Sequence, residues 1–384
     1  MSPSSPKLLE RLTQLIATPS VSSVQKQYDS SNRPVIDLLA NWLGDLGFSI
    51  EIMPLPGQPD KANLIATLGS GPGGLILSGH TDTVPYNAEY WTSDPFTLSE
   101  RDNRLYGLGS ADMKSFLGLA MEAVQQHDAS KLKAPIILLA TADEESSMDG
   151  AVALVEADRP KAKYAIVGEP TGLKPIRAHK GIIMEAIQLT GRSGHSSDPR
   201  YGNNAMDGMH LVLDELKQWR QELQQKYNDP SFAVPHPTLN LGHIHGGDNP
   251  NRICGKCELH IDLRPLPGMS TDELRETLDH RLTTRLADTG LQYERHSLIR
   301  GTDPMHTDAE AELVKTAEAL TGHQAESVAY CTEGPYLNKM GTQTIIMGPG
   351  HIDQAHQPDE FLPMDQIQPT IDILAKMIGK YCLE

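Results

Sequence analysis

Leu75-Ile76-Leu77-Ser78-Gly79-His80-Thr81-Asp82-Thr83-Val84-Pro85 begins as an apolar run and breaks off abruptly into polar residues. The run reads as a buried strand. Gly79 is expected to let the backbone turn there without strain. His80 and Asp82 are two apart, so on extended backbone they share a face. A metal-binding imidazole commonly donates its second ring N–H to a carboxylate, and a strand-end His-x-Asp supplies both groups. Taken alone, the stretch reads equally well as a surface loop, and residues elsewhere have to decide.

Two further apolar runs end the same way. Residues 135–140 lead into Thr141-Ala142-Asp143-Glu144-Glu145, and 164–167 into Gly168-Glu169-Pro170-Thr171. Ahead of both, Gly109-Ser110-Ala111-Asp112 precedes an amphipathic segment at 113–126. This sets Asp112 at a helix start, where free N–H groups favour a carboxylate. Strands separated by helices describe an α/β sheet, and sites in such sheets form outside the carboxyl ends of the strands. His80, Asp112, Glu144, Glu145 and Glu169 can therefore share one cleft. So many carboxylates repel one another, and one or more bound cations are the natural neutraliser. Glu144 and Glu145 follow a buried strand directly, a poor place for a merely solvated acidic pair. One ligand and one general base is the better account of them. After residue 347, the loop 348–360 returns to the same edge and offers His351 and His356.

Around this core, helices are expected at 6–16 and, capped by Asp29-Ser30-Ser31, through Leu43 to a stop at Gly47. Strands follow at 49–53 and 63–68. Gly69-Ser70-Gly71-Pro72-Gly73-Gly74 matches a dinucleotide-binding pattern in letters only, because a strand rather than a helix follows; it reads as a turn. From residue 181 the pattern changes to strand 181–190, helix 205–226, strands 238–245 and 254–263, helix 271–286 and strand 292–298. That β-α-β-β-α-β order is the ferredoxin-like arrangement. It describes an inserted domain, 181–295, within a discontinuous domain made of 1–180 and 296–384. Helices at 308–320, 334–340 and 365–382, with strands at 326–330 and 344–347, complete the latter.

The 384 residues carry a net charge of −17, which argues against nucleic acid and anionic membranes as partners. No apolar run reaches membrane-spanning length and no secretory signal is visible, so a soluble cytoplasmic protein is expected. Four cysteines are too few for a disulfide scaffold. Cys254-Gly-Lys-Cys257 falls on a strand with no second pair, and reads as two free or structural thiols. His243 and His245 alternate along a strand and read as structural. His179 and Lys180 mark the passage into the inserted domain.

Taken together and in order, His80-Thr-Asp82, Gly109-Ser-Ala-Asp112-Met-Lys, Glu144-Glu145, Gly168-Glu169-Pro-Thr and the late His356 resemble the M20 family of dinuclear metal-dependent hydrolases. The likeness covers the whole chain. It implies an α/β fold: a three-layer zinc-hydrolase-type catalytic domain with an inserted ferredoxin-like α+β dimerisation (lid) domain. It implies two Zn²⁺ per subunit, with Co²⁺ as a possible substitute. His80, Asp112 and Glu169 would hold one ion, and Asp112, Glu145 and His356 the other. Glu144 matches the general base and Asp82 the partner of His80. His195 matches a residue that reaches the other subunit's site in a homodimer and stabilises an oxyanion. Asn251, Arg264, Thr332 and Glu333 match positions near the substrate, with Arg264 suited to a carboxylate and Glu333 to an ammonium. Ser193-Gly-His195-Ser-Ser-Asp, Leu239-Asn-Leu-Gly-His-Ile-His-Gly-Gly247 and Gly350-His-Ile-Asp-Gln-Ala-His356-Gln-Pro-Asp-Glu360 resemble the family's branch acting on N-acetylated amino acids. The expected activity is hydrolysis of such a small molecule. The alternatives are another deacylase or carboxypeptidase of the family, or a catalytically inactive binding protein on the same fold.

Overall fold

The computed structural model describes residues 6–384. They form two compact units. One comprises the chain up to Arg177 with Thr307–Glu326 and Thr332–Glu384; the other comprises Ala178–His306 and Ser327–Cys331. The second unit runs further than the segment 181–295 because the chain after its last strand stays with it. Thr302 bridges Ile182, and the Arg275 guanidinium donates to the Arg300 carbonyl.

In the first unit a mixed sheet runs in the order Ser49–Leu55, Gln58–Leu68, Ile136–Thr141, Leu75–His80, Tyr164–Pro170, Gln343–Gly348, with Ile176 paired to Ile346 beyond the last. Leu75–His80 is parallel to both of its neighbours, and Gln343–Gly348 is parallel to Tyr164–Pro170. Those central strands therefore end at one edge of the sheet. Leu75–His80, Ile136–Thr141 and Tyr164–Pro170 are buried throughout, as near-continuous apolar runs must be when helices cover both faces. On one face, Leu75, Leu77, Leu138 and Ile166 pack into a core with Leu12, Leu39, Phe116 and Leu374 from the helices Pro6–Ala17, Arg33–Asp45, Lys114–Val124 and Ile367–Ile378. Their alternating neighbours Ile76, Leu139 and Val167 point to the other face and are equally buried.

Several local expectations change. Gly79 lies within the strand and makes no turn; it leaves room for the side chains packed on the strand, since a Cβ would meet Met113 Cε at 2.9 Å and Leu117 Cδ2 at 3.3 Å and those ends would have to shift. The helix Arg33–Asp45 starts after Asn32, whose side chain does not cap it. That amide instead donates to the Ala62 carbonyl and Thr81 Oγ1, and accepts from the Ala62 N–H, tying the helix start to the sheet. The strand Gln58–Leu68 begins earlier than expected because its first residues are polar and exposed. The single helix at 365–382 divides into a short turn, the helix Ile367–Ile378 and a wider turn at Gly379–Leu383. The helix Asp149–Ala157 was not anticipated. Nor was the small sheet of Phe361–Pro363, Arg104–Tyr106 and Ser99–Arg101, which brings residue 360 beside the loop that carries Asp112. The glycine-rich stretch at 69–74 is a turn between strands, with Gly69, Gly71, Gly73 and Gly74 all at positive φ.

The second unit has an antiparallel sheet in the order Thr238–Gly246, Lys256–Arg264, Ile183–Thr190, Gln292–Ser297. The helices Ala205–Lys226 and Thr271–Leu286 bury Leu216, Trp219, Leu278 and Leu282 against Ile187, Leu189, Leu259 and Ile261. This is the ferredoxin-like order. The cysteines are free thiols. Among the described residues no helix is long and apolar enough to cross a membrane.

Candidate metal centre

Parallel strands deliver the chemistry. His80 is the last residue of Leu75–His80, Glu169 lies near the end of Tyr164–Pro170, and Glu144 and Glu145 follow Ile136–Thr141. The sequence reading brought these residues to one edge, and the structure does so at close range. His80 Nε2 lies 3.0 Å from Asp112 Oδ1 and 3.9 Å from Glu169 Oε1. His356 Nε2 lies 3.0 Å from Glu145 Oε2 and 3.7 Å from Asp112 Oδ2. Two groups place one ligand atom per residue within 4.8 Å of one another: His80 with Asp112 and Glu145, and His80 with Glu144 and Glu169.

The tautomer of His80 is constrained. Its Nδ1–H donates to the Asp82 carbonyl at 2.9 Å. Nε2 therefore faces Asp112 either as the second N–H of an imidazolium or as a lone pair that shares a cation with the carboxylate. The Asp82 main chain thus aims the ring, and its carboxylate does a second job. Oδ2 accepts the Glu145 N–H at 3.0 Å, fixing the turn that carries the acidic pair. Oδ1 accepts no hydrogen bond among the described residues and lies 3.8 Å from His80 Nδ1.

Charge is badly balanced here. Burial pushes Asp82, Glu144, Glu145 and Glu169 above the ordinary carboxylate range, Glu144 and Glu169 well above it, and neighbouring carboxylates push the three glutamates further. Burial opposes protonation of His80, but the Asp112 hydrogen bond and the charges of Glu169, Asp112 and Asp82 overcome it and raise the imidazole well above its usual value. The Glu145 hydrogen bond raises His356 to about 9. Burial would raise Asp112, yet the hydrogen bond and charge of His80 hold it below its ordinary value. Within the cluster, protons are the neutraliser that its own described side chains supply. Divalent cations are the other candidate, and a mixed imidazole and carboxylate set fits them.

Supporting residues escaped the sequence reading. Glu360 is buried, and its carboxylate accepts the backbone N–H groups of Gly109 (3.0 Å), Ala111 (2.8 Å) and Asp112 (2.9 Å), cradling the loop that presents Asp112. Burial and the Asp112 charge push its carboxyl to about 8. Buried Lys61 donates to Asp143 and Asp29, both at 2.8 Å, while Ser22 also donates to Asp143. Asp143 sits in left-handed backbone at φ 57°, and its carbonyl accepts the N–H groups of Ser147 and Met148, so this knot shapes the turn bearing Glu144 and Glu145. The visible signal for Lys61 was a lone cation beside an apolar strand. For Glu360 it was its place in the His356 loop.

The other expected site residues fall as follows. Glu333 is buried; its oxygens accept from Ser78 (2.6 Å) and Thr141 (2.7 Å), so its carboxylate ties strand ends together. Thr332 Oγ1 accepts the Gly334 N–H at the start of the helix Gly334–Lys339. His351 pairs with Gln366 rather than with the cluster residues. His195, Asn251 and Arg264 belong to the second unit. There the Asn251 carbonyl accepts the Ser196 N–H, next to His195, and Arg264 forms a two-pronged pair with Asp262 at 2.8 and 3.0 Å.

A hydrolytic metal centre at the carboxyl ends of the parallel central strands of a mixed sheet, in a chain with an inserted ferredoxin-like unit, is the class this architecture defines. The chain belongs to peptidase family M20/M25/M40, whose model matches residues 76–380. Among full-length relatives it is 48% identical over 380 residues to acetylornithine deacetylase of Pasteurella multocida (strain Pm70), with 98% of each chain covered. It is 50% identical to that of Edwardsiella ictaluri (strain 93-146), again with 98% of each chain covered. Among solved structures, the fold matches an M20 family metallo-carboxypeptidase from Sulfolobus solfataricus with TM-score 0.76 at 16% identity, covering 98% of this chain and 99% of that one. It also matches a dinuclear metal binding peptidase from the M20 family of Bacillus subtilis, with TM-score 0.67 at 14% identity and 98% of each chain covered.

Proposed function

We propose that this chain hydrolyses N2-acetyl-L-ornithine to L-ornithine and acetate, a step of arginine biosynthesis. The observation that carries the substrate is 47–50% identity along 98% of the chain to acetylornithine deacetylases. The observation that supports the chemistry is Glu144 standing beside an acidic cluster short of positive charge. His80, Asp112 and Glu169 would hold one ion and Asp112, Glu145 and His356 the other. Zinc suits this donor set, with cobalt as a substitute. When bound, such a pair of ions acidifies a water and polarises the acetyl carbonyl. Glu144 takes the proton of the attacking water and returns it to the departing ornithine nitrogen. Surroundings that raise its carboxyl suit a group that must carry a proton between those two steps.

The second unit is read as a dimerisation surface, with His195 serving the partner's site. His195 Nδ1 lies 2.7 Å from the Ser197 hydroxyl and 3.2 Å from the Ser197 N–H; with both donating to it, Nε2 carries the proton that an oxyanion would need. Arg264 remains the candidate for the substrate carboxylate.

Purified protein should release ornithine from N2-acetyl-L-ornithine and no diaminopimelate from the N-succinyl derivative. Chelation should abolish release, and added zinc or cobalt should restore it. Turnover of the succinyl derivative alone would replace this reading with that of a desuccinylase. A fully active monomer would remove His195 from the mechanism.

A further inference from the structure

The open face of the ferredoxin-like sheet holds a histidine cluster that the hydrolytic reaction does not use. His243 and His245 lie on the edge strand Thr238–Gly246, and His260 and Glu258 on the neighbouring Lys256–Arg264. The antiparallel register sets His243 opposite His260 and His245 opposite Glu258. The ring centres of His243 and His245 are 5.2 Å apart, and those of His243 and His260 are 5.0 Å apart. Glu258 Oε1 lies 2.9 Å from His260 Nε2. The His260 hydrogen bond, with the charges of His260 and His245, holds the Glu258 carboxyl below its ordinary value.

We infer that His243, His245 and His260 form a separate site for a divalent transition-metal ion, with Glu258 as the carboxylate that aims His260. Three physical points support it. Two imidazoles bound to one tetrahedral ion at ~2.0–2.1 Å have ring centres roughly 5 Å apart, the spacing found in both pairs here. A ligating imidazole commonly passes its other ring N–H to a carboxylate, as His260 does to Glu258, which frees Nδ1 for an ion. The remaining two rings are exposed, so an ion can enter from solvent. In the side-chain conformations present the three rings do not converge on one point, so binding requires the two exposed rings to turn toward His260. Imidazole donors favour zinc, copper, nickel or cobalt over magnesium or calcium.

The test uses the full-length chain, stripped with chelator and titrated with Zn²⁺ alone, with bound metal counted after desalting. An Asp112→Ala background, made together with His80→Ala because His80, Glu144 and Glu169 form a group without Asp112, disables the strand-end cluster, so the two sites are read separately. That background should still hold one equivalent. His243→Gln and His245→Gln, at exposed positions that leave the fold intact, should each release it. Glu258→Gln should weaken it ~10–100-fold. Cobalt in place of zinc should give a visible absorption band in that background that His243→Gln removes. Retention of the equivalent and of the band in both histidine variants would overturn the site. Loss of acetylornithine turnover in that background bears only on the strand-end cluster.

Discussion

Each unit buries acidic groups, and the two burials are resolved in opposite ways. In the second unit, Glu185 is almost inaccessible, yet its oxygens meet Arg275 at 2.7 Å, Arg295 at 2.7 Å and the Ser297 hydroxyl. Arg295 also grips Asp279 through two bonds of 2.9 Å, and Tyr293 donates to the same carboxylate. Here guanidinium forks match carboxylates in number and geometry, as a finished ionic network requires. At the strand ends of the first unit, Asp82, Asp112, Glu144, Glu145 and Glu169 share two imidazoles. A buried charge network that the chain completes by itself is structural. One it leaves incomplete marks where something from outside is meant to bind.

That contrast can be broken from either side. The largest effect should follow Glu144→Gln, which keeps shape and removes the base. Turnover should fall ~10²–10⁴-fold, while zinc content and denaturation midpoint stay near wild type. Normal kcat in that variant would sink the proposed mechanism; lost metal would make Glu144 a ligand instead. Glu185→Ala should do the reverse. Arg295 keeps Asp279 and Arg275 keeps the Arg300 carbonyl, so loss of the buried carboxylate costs at most about 3–5 kcal/mol, read by urea unfolding, with zinc stoichiometry unchanged. If Glu185→Ala also emptied the strand-end cluster, the division into a structural and a functional network would fail.

How legible this was in sequence depends on the range of each interaction. Strands such as 75–77 and 164–167 were readable because burial on both faces writes an unbroken apolar run. The cluster was readable because sheet topology brings strand ends together whatever the loops between them do. The Glu360 cradle was not readable, since nothing local says that a carboxylate will meet three N–H groups some 250 positions earlier in the chain. Lys61 and Asp143 are likewise 82 positions apart. Gly79 misled for a different reason: a glycine that makes room for Met113 and one that makes a turn are the same letter. Glu333 had a plausible ammonium partner in sequence, and burial with Ser78 and Thr141 occupies its oxygens instead.

The smallest effect concerns two buried histidines that the surroundings drive apart. Carboxylates raise His80 well above its ordinary value. At His179, burial outweighs the hydrogen bond from Nδ1–H to the Lys180 carbonyl (2.7 Å) and lowers the imidazole to about 4. In the unfolded chain the same ring titrates near ~6.5. As pH falls below that value, the unfolded state takes up a proton that the folded state refuses until about 4. The stability due to His179 is therefore present in full above ~6.5 and is lost as pH drops toward 4, an acid penalty of about 2–3 kcal/mol by pH 4.5. His179→Gln keeps an N–H that can reach the Lys180 carbonyl and removes the titration. Urea unfolding at pH 7 and at pH 4.5, on chelator-stripped protein so that metal release contributes nothing, should show the wild type losing that much more stability than the variant. Equal losses in the two proteins would mean that the His179 ring is reached by solvent and protons in the folded state.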